Sequence, residues 1–260
     1  MTVRPLQSAW RFSRNELSGK PGTAQDDSER SIAILNASVR LVTAKRIRLG
    51  LQLLGTIAIL AWIPGNAAKL VAMLVIWALG FGRVSRPELV FMIGVNLLFI
   101  CMNLGALRKG AFRFTSPDAL GMPMYEFAMW GFYTLNTIRF LDGVAPGGSR
   151  WSALIMAAAF AVPFSMVSDP GVLTLLSGIV LVISLALYSE PMDFAYAAYM
   201  VIMGALIEYV GVWTGQWSYP GNPPGGVPSW FIPMWGGVGL FTRRLLLPLV
   251  RQGAGSAVPG

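Results

Sequence analysis

The chain has 260 residues, 55% of them hydrophobic and only 12% charged, with a formal net charge of +8. Long uncharged runs in that composition specify an all-α, polytopic integral membrane bundle, and the length suits one bundle rather than two domains. The absence of histidine excludes His-box di-metal sites, His-ligated haem and the usual zinc sites. No metal or cofactor is therefore expected, and proton chemistry falls to Asp, Glu, Tyr, Lys, Arg or Cys.

Residues 1–30 are polar and mixed in charge, and read as a disordered cytoplasmic tail. No apolar region follows the start, which argues against a cleaved signal peptide. In 31–48, Ile32, Leu35, Val39 and Val42 recur at helical spacing beside Arg40, Lys45, Arg46 and Arg48. That pattern fits a basic amphipathic helix on the membrane surface, or simply the basic approach to the first span.

Residues 49–250 then hold eight apolar segments: 49–63, 67–81, 89–107, 124–141, 151–167, 172–188, 194–213 and 230–250. The first two are short for a crossing and are split by the turn signal Pro64-Gly65-Asn66. Eight spans is the leading count, with seven and six as alternatives. Residues 251–260 read as a second disordered tail. Arg243 and Arg244 interrupt the last run, so its lower half is expected to leave the membrane and lie at the surface. Glu190 and Asp193 flank Pro191 and read as solvated loop residues.

Placing both termini in the cytoplasm puts most Lys and Arg inside, as basic residues prefer, with Lys69, Arg108, Lys109 and Arg113 outside. A bacterial inner membrane is the expected location. The basic residues flank apolar runs, so they read as topology determinants and lipid contacts, not as nucleic-acid contacts. Cys101 is alone, which rules out an intrachain disulfide and argues against a redox role.

Glu208 is the most informative residue. A carboxylate inside a segment long enough to span a bilayer is costly and defaults to a functional hypothesis. On the alternating topology it lies about five residues, or roughly 7.5 Å, before the outer end of the seventh span. Glu126, one turn into the fourth span, falls at similar depth. The pair can serve as general acid and base, because apolar surroundings favour a neutral carboxylic acid and such an acid can protonate an alkene. Trp130, Tyr133, Tyr209, Trp213, Trp217, Tyr219, Trp230 and Trp235 are candidates to wall a substrate pocket and face a cationic intermediate.

Each of these residues has a plainer account. Glu126 can complement the helix dipole, Glu208 can bond a neighbouring helix, and the aromatics can form an interfacial belt. Asn136, Arg139 and Asp142 are spaced to share a helix face. Arg139 is a candidate for a substrate phosphate, against an internal salt bridge or snorkelling to lipid phosphate. Asn96 and Asn103 share a face of the third span and read as helix cross-links. The Pro- and Gly-rich stretch 219–230 reads as an ordered connector, with a lid as the alternative. No Walker motif, dinucleotide fingerprint or nucleophile elbow occurs.

Glu208, Gly211, Thr214-Gly215, Trp217 and Tyr219-Pro220 resemble the Glu, Thr-Gly, aromatic and Tyr pattern of carotenoid 1,2-hydratases and heterodimer-type lycopene cyclases. The resemblance spans about a dozen residues. It implies a helical membrane enzyme that protonates or hydrates the ends of polyenes without a metal. The expected partners are membrane lipid and a lipid-soluble isoprenoid. The main rival is a non-catalytic accessory or assembly subunit of a larger membrane complex, which suits the many small residues. A transporter is weaker, since no inverted repeat is visible.

Overall fold

In the computed structural model the described residues are 24–255, with side chains described over 38–251. The readings for residues 1–23 and 256–260 lie outside them. Two units divide the chain, residues 1–44 and 45–260. In the first, the backbone is helical from Ala24 onward and the Thr43 hydroxyl donates to the Val39 carbonyl. Residues 24–30 are thus helical where an irregular tail was expected, and residues 251–255 likewise extend the last helix.

The helices are α1 (Ala24–Trp62), α2 (Asn66–Phe81), α3 (Arg86–Arg108), α4 (Glu126–Leu141), α5 (Arg150–Met166), α6 (Pro170–Tyr188), α7 (Pro191–Trp213), α8 (Phe231–Phe241) and α9 (Leu247–Gly255). A π-helical turn, Thr242–Leu246, joins α8 to α9. The apolar segments of the sequence thus become eight helical rods among the described residues. Three of them, α3, α6 and α7, are long and apolar enough to cross a membrane.

The boundaries follow local chemistry. Gly65 takes φ of 78° between α1 and α2, where a β-carbon would be strained. The starts of α3, α6 and α7 each carry proline in the first turn, where its missing N–H costs no helical bond. The Ser85 N–H donates to Glu88 and the Val172 N–H to Asp169, so both helix starts have acceptors for exposed amides.

Hydrogen bonds across the bundle identify its two ends. At one end Asp142, the residue after α4, receives Lys45 and Arg251. Glu190 and Asp193, before and within the first turn of α7, receive Arg243 and Arg244 there. At the other end a two-stranded antiparallel sheet pairs β1 (Arg113–Phe114) with β2 (Trp217–Ser218). Successive rods therefore alternate in direction through the unit.

Two expectations fail at the first end. Asp193 is fully buried, not a solvated loop residue, and Glu190 shares its ion cluster. Arg243 and Arg244 are also buried rather than at the surface. Arg244 donates to Asp193 through Nε (2.9 Å) and to Glu190 through Nη2 (2.9 Å), with its guanidinium 4.4 Å from the Tyr188 ring centroid. The π turn lets two consecutive arginines reach the same carboxylate. Arg243 beside Glu190 holds that carboxyl below its ordinary 4.5.

Candidate functional site: a carboxylate pair framed by indoles

One face of α7 carries Gly204, Ile207, Glu208 and Gly211, all buried. The spacing i, i+3, i+4, i+7 makes this a continuous stripe. The two glycines are notches for indole rings. A β-carbon on Gly204 would fall 2.4 Å from Trp235, and one on Gly211 would fall 2.1 Å from Trp217. Glu208 lies between them, seated by the rings that the notches admit.

Glu208 accepts two hydrogen bonds at one oxygen, Oε2. Trp217 Nε1 donates at 2.8 Å and the Tyr219 hydroxyl at 2.6 Å. Both donors follow α7 in the chain and return to it because β2 pins the strand to β1, with Phe114 opposite Trp217. Burial and the facing Glu208 carboxylate push the Tyr219 hydroxyl well above the ordinary tyrosine range, so it stays a proton donor to that carboxylate.

Glu126 mirrors this arrangement from α4. Its Oε2 accepts from Trp130 Nε1 at 2.8 Å and from Asn103 Nδ2 at 3.2 Å. Asn96, seven residues earlier on α3, accepts from the Gly131 N–H at 2.6 Å. At Gly131 a β-carbon would meet the Met92 carbonyl oxygen at 2.6 Å, so glycine permits this close α3–α4 approach.

An aromatic stack joins the two halves. Trp130 lies 4.7 Å from Phe99 and 4.9 Å from Trp235, while Tyr133 lies 5.8 Å from Trp130. Glu126 is tied to this stack through Trp130, and Glu208 lies about one helical turn from Gly204, the notch that seats Trp235. Neither carboxylate forms an ion pair with a described residue, although Glu88, Asp142, Glu190 and Asp193 all do. The second oxygen of each, Oε1, accepts no hydrogen bond from a described residue. Two more buried donors in this cluster, the Tyr133 hydroxyl and Trp235 Nε1, also lack partners among the described residues.

The structure therefore brings Glu208, Glu126, Trp130, Tyr133, Trp217, Tyr219 and Trp235 together, and Trp230 joins them edge-on to Tyr219 at 5.9 Å. It separates the rest of the predicted set. Tyr209 packs on another face of α7, under Gly225, with its ring tilted against that of Trp213, which is 72% exposed. Trp213 is corrected from pocket lining to the outer surface of the helix end, and Tyr209 to half-buried packing beneath the 219–230 connector.

Arg139 is likewise no free phosphate ligand. Its guanidinium donates to both oxygens of Glu88 (2.8 Å each) and to the Phe81 and Arg83 carbonyls. Asn136 and Asp142 do not share its surroundings. Asn136 turns to Leu49, Gln52 and Tyr199, whereas Asp142 meets Lys45 and Arg251. Residues three apart on a helix still differ by about 60° in direction, enough to send three polar side chains to three neighbours.

The stretch 219–230 packs as a connector. Gly225 and Gly226 adopt positive φ and lie against Tyr209 and Val212, and Val227 is buried. Asn103 is the site residue that the sequence reading did not connect to a carboxylate. Its seven-residue spacing from Asn96 marked the α4-facing side of α3, but the partner was not legible. No three His, Cys, Asp or Glu side chains converge among the described residues.

No protein-family model matches the chain, and no curated protein does. Among solved structures, that of a cross-linked MvINS trimer is similar, with a TM-score of 0.55 and 15% identity. The similarity covers 68% of this chain and 98% of that one. The likeness is of fold alone. It places this helical arrangement among architectures already seen in a crystal.

Proposed function

We propose that the protein is a metal-free integral membrane enzyme acting on a lipid-soluble isoprenoid or polyene by carboxylate acid/base chemistry, of cyclase or hydratase type. The observation that carries this reading is the pair of buried carboxylates without counter-cations, set on a wall of indole and phenol rings. A structural carboxylate in the bundle finds an arginine or lysine, as Glu88 and Asp193 do. Glu208 and Glu126 instead keep neutral donors and one oxygen each for chemistry.

In the proposed step Glu208 is the acid. Its O–H bond breaks as the alkene π electrons form a new C–H bond, leaving a carbocation. The rings of Trp130, Trp235 and Tyr133 stabilise that cation through their faces, each by roughly 0.5–2 kcal/mol. Glu126 as carboxylate then takes a proton. Removal from carbon adjacent to the cation restores a double bond, and removal from an attacking water completes a hydration. Trp217, Tyr219 and Asn103 hold the carboxylates in position.

The location proposed is a bacterial inner membrane, with both termini in the cytoplasm and eight crossings. Lys45, Arg83, Arg86, Arg139, Arg150, Arg243, Arg244 and Arg251 gather at one end of the bundle, against Lys69, Arg108, Lys109 and Arg113 at the other. That imbalance favours the first end inside.

A second reading, a non-catalytic subunit of a larger membrane complex, draws on the long exposed faces of α3 and α6, whose apolar windows are only 22% and 17% buried. Purification in mild detergent followed by mass spectrometry of extracted lipids separates the two. A bound polyene or other isoprenoid supports the enzyme; stoichiometric recovery of a larger complex without one supports the subunit. Glu208→Gln is expected to abolish turnover while leaving expression and folding intact, and full activity in that variant would count against the mechanism.

A further inference from the structure

A cavity of about 380 Å³ opens at the end of the bundle that carries the β1–β2 sheet, within the range of roughly 300–1,000 Å³ typical of small-ligand sites. Its wall includes Asn66, Lys69, Thr115, Ser116, Tyr125 and Gln216, and no carboxylate lines it. Lys69 is only 5% exposed. Its ammonium donates to Gln216 Oε1 and lies 5.5 Å from the Tyr125 ring centroid, yet no described acid pairs with it. A buried cation left with a neutral acceptor and a ring face is expensive unless an anion completes it.

The rest of the wall combines apolar Trp62, Ile63 and Pro64 with neutral polar groups. Asn66 Nδ2 is tied to the Ser116 carbonyl at 2.7 Å, which fixes the segment after β1 against the start of α2. Thr115 and Ser116 also line the cavity and bring neutral hydroxyl groups to its wall. The position is equally informative. Tyr125 immediately precedes Glu126, and Gln216 immediately precedes Trp217, the donor to Glu208. The cavity therefore adjoins both arms of the carboxylate site.

We propose that this cavity is an anion subsite, centred on Lys69, that takes the phosphate-ester head group of an amphiphile. Its apolar tail would run from the head group toward the aromatic stack. The direction of the tail rests on the reading of the carboxylates given above; the subsite itself does not.

Binding to the purified full-length protein in neutral detergent tests it, with dihexanoyl phosphatidate, inorganic phosphate and uncharged dihexanoyl glycerol as probes. Phosphatidate is expected to bind, Lys69→Gln to weaken it by at least ~10-fold, and Lys69→Arg to restore most of the affinity. Competition by inorganic phosphate assigns the subsite to a free anion, whereas its failure to compete assigns it to a lipid head group. Should Lys69→Gln not fold, Ser116→Ala serves as the second variant, with an expected loss of roughly 3-fold. Equal affinity for dihexanoyl glycerol, no binding of either phosphate probe, or unchanged affinity in both variants overturns the proposal. The assay reads binding without turnover, so its failure leaves the carboxylate chemistry standing, and inactive carboxylates leave the subsite standing.

Discussion

Glu208 owes its setting to what is missing on either side of it. Gly204 and Gly211 have no β-carbon, so Trp235 and Trp217 approach the α7 backbone and bracket the carboxylate. Gly211→Ala inserts a methyl group 2.1 Å from the Trp217 ring and must displace the donor to Glu208. The expected result is a loss of roughly 1–3 kcal/mol in stability with a fall in activity, measured by thermal unfolding and product assay. Gly50→Ala, where a β-carbon meets nothing within 4 Å, is the matched control and should not destabilise. At this scale the sequence was informative about type and mute about partners. Glu208, Trp217 and Tyr219 stand within a dozen residues, so their grouping was legible. That Asn103 serves Glu126, or that Tyr209 turns away from its neighbour Glu208, depends on helix rotation that one chain's pattern does not fix.

Among the elements, the junction of α8 and α9 departs furthest from expectation. Two arginines in an apolar run read as a helix leaving the membrane. They are instead buried partners of Asp193 and Glu190, which begin α7. The nearest signal was Glu190-Pro-Met-Asp193, a capping arrangement in which the Glu190 N–H meets Asp193 at 3.2 Å. The sequence reads these two as loop residues because the matching arginines lie some fifty residues away. Asp193→Asn leaves two buried guanidinium groups under-compensated and should cost roughly 3–5 kcal/mol. The pH dependence follows from Glu190, whose carboxyl is held below 4.5 chiefly by its hydrogen bond from Arg243. A depressed carboxyl contributes stability fully above its unfolded value, and that contribution is lost as pH falls through the lower folded value. Thermal unfolding between pH 6 and 3 should show this acid-side loss, and Glu190→Gln should flatten it.

For the molecule as a whole, the apolar runs, the turn at Pro64-Gly65-Asn66 and the all-α class were legible because hydrophobic length and turn chemistry are local. The convergence of α3, α4, α7, α8 and the β1–β2 sheet on one buried pair was not, since it depends on which helix faces meet. The pairing was inferred from depth alone, through alternating direction along the chain. The two ends of the molecule differ: arginine-bound carboxylates fasten one, and two carboxylates without cations lie toward the other. The step on which the proposed chemistry turns is proton transfer from Glu208 to carbon. The most direct test supplies lycopene to the protein in proteoliposomes made in deuterium oxide and analyses the product by mass spectrometry. Solvent deuterium on carbon is expected in product from the wild type, and no product is expected from Glu208→Gln. Product that carries no solvent deuterium, or that forms at an undiminished rate in Glu208→Gln, would contradict it.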